Sequence, residues 1–171
     1  IYSYGDLTIS GGKIQKATGG ASTDGNGGSG IFSGSNLTIS GGTIETAQGG
    51  KGNASGGMGI RSGGTLTISD NATIGTAKGG EGKTSGGNGI YGVGKLTIQK
   101  ATITNATGNK ATGNGNGGSG IFSDGMLSID SATITNATGG DADNGTGGSG
   151  IRGDGSNDKL SIYNATITNA T

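Results

Sequence analysis

Tyr2, Phe32, Arg61, Tyr91, Phe122 and Arg152 each directly follow an isoleucine, and those isoleucines (Ile1, Ile31, Ile60, Ile90, Ile121, Ile151) stand 30, 29, 30, 31 and 30 residues apart. Alternation along a strand sends neighbouring side chains to opposite faces, so inward isoleucines put this column outside. Flat rings and guanidinium groups stacked at strand spacing attract one another through aromatic and cation–π contacts. Such a strip is a candidate ligand-binding surface for sugar rings or for a neighbouring rod. The alternative is that the adjoining glycine-rich segment folds over it and makes a second core, burying apolar area that a lean chain needs. The sequence leaves both open.

Asp124 and Asp154 are each the third residue past their isoleucine. In stacked repeats their carboxylates lie about 4.8 Å apart and repel unless a cation or proton sits between them. They are the candidate calcium site, against the plainer reading of two solvated loop residues. Other acidic residues fall mostly in different columns. The chain has no His and no Cys, and it offers no cluster of carboxylates to act as acid, base or nucleophile together. It reads as non-enzymatic, with no cofactor required and calcium as the one candidate ion.

Three motif matches fail on inspection. GGSGI, GGMGI and GGNGI share glycines with the calcium-binding nonapeptide, but its ligand position holds Phe32, Arg61, Tyr91, Phe122 and Arg152. No phosphate-binding GxxxxGK[ST] occurs. DADNG, from Asp141 to Gly145, lacks EF-hand ligand spacing and reads as a polar turn. A threonine column (Thr43, Thr73, Thr102, Thr133, Thr166) gains neighbours at Thr104, Thr135 and Thr168 in the last three repeats, an array of the kind found in ice-binding solenoids. Lys13, Gln15, Glu45 and Gly75 interrupt it, and threonine is in any case a good outward strand residue. Asn-x-Ser/Thr sequons recur, for instance at Asn105 and Asn136, in a chain already rich in these residues.

What must position these columns is a repeat. Leu7, Leu37, Leu66, Leu96 and Leu127 follow the opening isoleucines by six residues, with Leu160 delayed by an insertion of three. Ile9, Ile39, Ile68, Ile98, Ile129 and Ile162 come two later. A last isoleucine follows (Ile14, Ile44, Ile74, Ile103, Ile134, Ile167), trailed by alanine three residues on. The spacing within each copy has period two, and no stretch has helical spacing. Each copy therefore predicts three short strands joined by glycine turns and closed by a glycine-rich arc, TGGASTDGNGGSG in the first. The fold expected is all-β: a right-handed parallel β-helix (β-solenoid) of six coils, about 30 residues each. The repeats are 1–30, 31–59, 60–89, 90–120, 121–150 and 151–171, one β-solenoid domain over 1–171 that reads as an excerpt of a longer array. The arc glycines serve either as positive-φ turns or as stacked extended chains.

Composition agrees. Of 171 residues 44 are glycine and only 27% are hydrophobic, too little for one globular core but enough for coils that cover each other. Net charge is zero, so no electrostatic case for nucleic acid exists. No apolar run approaches the roughly 20 residues of a membrane span, so membrane insertion is not expected.

The phrase GI-x-S-x-G-x-LTI-S-GG-TI resembles the repeats of bacterial cell-surface parallel β-helix proteins. Among them is a clostridial group of polygalacturonate-binding carbohydrate-binding domains, similar in shape to pectate-lyase-like helices. The resemblance covers the whole chain and implies a cell-surface setting, with polysaccharide and acidic-residue calcium as ligands. This chain is poorer in Asp and richer in glycine than that group. The reading adopted is a structural segment of an extracellular fibre, stalk or adhesin that self-associates end to end or laterally. A pectin-binding module is the alternative, ahead of an ice-binding protein or a pectate-lyase-like enzyme.

Overall fold

Strand pairing follows the isoleucine ladders in the computed structural model, which describes residues 1–155 and 160–171. The insertion that delays Leu160 lies outside the described residues. Three six-stranded parallel sheets each take one strand from every coil, and together they form a β-solenoid of six turns. In the fourth coil the strands are Ile90–Gly92, Leu96–Gln99 and Thr102–Thr107. Registers are those of the sequence columns: Ile90 pairs with Ile60 and Ile121, Leu96 with Leu66 and Leu127, Ile103 with Ile74 and Ile134. At about 4.8 Å per coil the rod is roughly 29 Å long.

The leucine and isoleucine columns are the core. Ile60, Leu66, Ile68, Ile74, Ile90, Leu96, Ile98 and Ile103 are all 0% exposed. Corners between sheets are made by polar chemistry. Between the first and second sheets the buried Ser33 hydroxyl donates to Asn36 O in its own coil and to Gly5 O in the coil below, both at 2.8 Å. Ser62 and Ser123 repeat this arrangement. A buried hydroxyl so satisfied staples one coil's turn to the next.

The second corner departs from the expected glycine turn in four of six coils. Gly11–Gly12 and Gly41–Gly42 have φ between 72° and 79°. The third coil uses Asp70 and Asn71, and the fourth to sixth use single residues, Lys100, Ser131 and Asn164, at φ 47–51°. Each of these is followed by an alanine, and Ala72, Ala101 and Ala132 are buried at 0–4% exposure. The inserted methyl group packs where the double-glycine turn leaves nothing, which offsets the roughly 1–2 kcal/mol of a left-handed non-glycine residue. A third bend lies inside the long strands. Between buried Ile103 and Ala106 two outward residues intervene, and the ladder skips Thr104.

The arc resolves the two roles left open for its glycines. None of the described arc glycines has positive φ; only Gly11, Gly12, Gly41 and Gly42 do. An outgoing leg (Gly19–Gly20 and its repeats) and a returning leg (Gly27–Gly28 and its repeats) lie side by side and bond to each other. Gly28 N–H donates to Gly20 O, Gly50 to Gly28, Gly57 to Gly50, Gly80 to Gly57 and Gly87 to Gly80. Through Asn109, Gly118 and Gly140 the zigzag continues to Gly148, nine bonds of 2.7–2.9 Å in one chain. A Cβ on Gly57 or Gly87 would stand 2.0 Å from the carbonyl oxygen one coil below. Legs this close admit hydrogen alone, as at the crowded axis of collagen. Beside the aliphatic core runs a second one made of backbone.

The repeat's irregular period follows from these parts. From outgoing to returning leg the step is eight residues in the first and fifth coils (Gly20 to Gly28, Gly140 to Gly148) and seven in the second (Gly50 to Gly57). It is nine in the fourth (Asn109 to Gly118), which gives intervals of 30, 30, 29 and 31. The third coil has a seven-residue step but one extra residue at its Asp70–Asn71–Ala72 turn, which restores 30.

Candidate functional site

The residue after each opening isoleucine does point outward, and the six side chains form one unbroken stack. Tyr2 and Phe32 rings lie 4.6 Å apart at 28°, Tyr91 and Phe122 5.4 Å apart at 18°. The Arg61 guanidinium sits between them, 5.3 Å from the Phe32 ring and 6.0 Å from Tyr91, and Arg152 lies 5.3 Å over Phe122. Strand pairing forces this arrangement: Phe32 is the register partner of Tyr2 and Arg61, Tyr91 of Arg61 and Phe122.

The arc does not close over the strip, because its glycine legs pack on each other instead. Phe32, Arg61, Tyr91 and Phe122 are left half-buried, while Tyr2 and Arg152 are exposed. Over the first three coils the strip and the legs are two walls of a groove of about 400 Å³, lined by Tyr2, Phe32 and Arg61 facing Gly19–Gly20 and Gly27–Ser29.

Asp124 and Asp154 both join the strip. The Tyr91 hydroxyl donates to Asp124. Arg152 donates to Asp154 through Nε at 2.7 Å and Nη2 at 2.5 Å, a bidentate pair. Burial in the stack, helped by the Asp124 carboxylate, pushes the Tyr91 phenol up to about 12, so it remains a donor at any physiological pH. Asp154 likewise holds the Arg152 guanidinium above its ordinary range. Each carboxylate thus has a donor of its own. Among the described residues no three of His, Cys, Asp or Glu gather at one place.

Other columns find partners of their own. Asn136 donates to Asn105 at 2.9 Å and Asn169 to Asn136 at 2.8 Å, an amide ladder along the third sheet that engages three of the sequons. Thr104, Thr135 and Thr168 fall where the ladder of the long strands skips a residue, whereas Thr102, Thr133 and Thr166 are register partners. Sequence reasoning missed the amide ladder, although Asn-Ala-Thr at one register in three coils was its signal. No helix among the described residues is long and apolar enough to cross a membrane.

The parallel β-solenoid expected from the repeat is present in full, whereas the cell-surface and polygalacturonate-binding likeness rests on the repeat phrase alone. Comparisons with protein-family models, with curated proteins and with solved structures find no match for the chain.

Proposed function

We propose that the chain is a structural, non-enzymatic segment of an extracellular fibre, stalk or adhesin. One observation carries this reading: three backbone ladders and the glycine zigzag run without interruption through all their coils. The first five coils are bonded to one another at four places around the circumference, three sheets and the zigzag, so bending or stretching the rod loads many hydrogen bonds at once. Stability is spread along the rod rather than lodged in one residue. Self-association belongs to the proposal, end to end or side by side. Stretching single molecules from their two ends tests it. The expected trace is stepwise, each step releasing one coil of about 30 residues, or about 100 Å of chain. Smooth extension at low force, as for a flexible coil, would refute a load-bearing role.

A second reading, a polysaccharide-binding module, is favoured by the half-exposed ring stack and its groove. Rings stacked at coil spacing present a row of apolar edges along which a sugar chain can lie. Retention on a pectin column, lost when Tyr91 and Phe122 are both replaced by Ala, is its expected result. Retention unchanged by that pair would remove the strip from consideration.

A further inference from the structure

The strip is two copies of one triad, Tyr2–Phe32–Arg61 and Tyr91–Phe122–Arg152, three coils apart. The two arginines have the same aromatic flank and opposite fates. Arg152 is neutralised by Asp154, two residues on, whose carboxylate meets its Nε and Nη2. Two residues after Arg61 stands Gly63, and a Cβ there would lie 2.4 Å from the carbonyl oxygen of Gly34. The first triad therefore has no room for a built-in acid. Arg61 makes no ion pair among the described residues, and its Nε is buried without a hydrogen-bond partner. A guanidinium cannot shed its charge, and a buried donor left unpaired is destabilising until a partner reaches it. Phe32 and Tyr91 flank it on both sides, and it lines the groove whose opposite wall is glycine backbone.

We propose that this groove is a binding site for a carboxylate carried on a flat ring. The carboxylate pairs with the Arg61 guanidinium from the groove, as Asp154 pairs with that of Arg152 from its own coil, and the ring lies along Tyr2 and Phe32. Asp154 is in this sense the internal occupant of the second site. The proposal goes beyond the structural role above and stands independently of it.

Benzoate is the probe, titrated into the full chain while the amide signals of Gly28 and Ser29 are followed by nuclear magnetic resonance. Saturable binding of one benzoate is expected, weakened at least tenfold in Arg61→Gln, with acetate at least tenfold weaker than benzoate. No saturable binding, or equal binding by Arg61→Gln, would overturn the site. Acetate matching benzoate would overturn the ring platform. Asp154→Gly, which gives the second triad the residue the first has at Gly63, guards against misfolding of the first variant: it leaves Arg61 untouched and is expected to raise the stoichiometry from one to two. A stoichiometry that stayed at one would overturn the reading of Asp154 as a built-in occupant.

Discussion

Gly87→Ala is expected to destabilise the rod by about 3 kcal/mol or more, the upper end of what overpacking costs. Gly87 is buried in the returning leg, donates to Gly80 O and accepts from Asn109 N. Its new methyl group would stand 2.0 Å from Gly57 O and 2.9 Å from Gly80 N, both backbone atoms that no rotamer change can move aside. Admitting it parts the two legs, and the neighbouring zigzag bonds lengthen together. For a chain of this size the melting temperature would fall by about 10 °C. Gly28→Ala is the matched control: same column, same chemistry, but on the first coil, where the nearest atom to a Cβ is 3.1 Å away. A loss under about 1 kcal/mol is expected there. Far-UV circular dichroism melts of the two variants decide the matter, and hydrogen exchange should place the damage in coils two and three. If both variants melt alike, close approach is not what these glycines are for.

How much of this was legible beforehand depends on how local its cause is. Leu96-Thr97-Ile98 announces a strand by alternation alone, and recurrence near 30 residues fixes the parallel register, since a one-residue slip would turn every isoleucine outward. The turn at Lys100 announces nothing. A left-handed lysine is disfavoured by its own chemistry, and what stabilises it there is the methyl group of Ala101 entering a space that only the coiled chain creates. The glycine legs are intermediate. Paired glycines recur at fixed places in the arc, but the partner of Gly87 N is seven residues back, across a tip whose length varies from coil to coil. Composition reported many glycines; only the packing distinguishes a turn from a contact. The strip's exposure was undecidable for the same reason. Its outward direction follows from Ile90, whereas its freedom from cover depends on the legs preferring each other to the rings.

Ile98→Ala is the other large effect, expected at about 2–5 kcal/mol. Ile98 is 0% exposed, between Ile68 below and Ile129 above, with Leu96 beside it on the same strand. Truncation removes three carbons from a site whose walls are hydrogen-bonded sheets, so collapse around the void is limited and most of the cavity term persists. Ile162→Ala makes the same change in the same column of the sixth coil, where the side chain is 48% exposed. There the cost should stay below about 1 kcal/mol, since little apolar surface is newly lost from contact. Measured by chemical denaturation, the difference between these two isoleucines isolates what a covering coil contributes. Equal losses would mean that each coil is stable by itself and that stacking adds little. A large difference means that no coil is a unit of folding alone, and that 27% hydrophobic residues suffice because each isoleucine is covered from above and below as well as from the side.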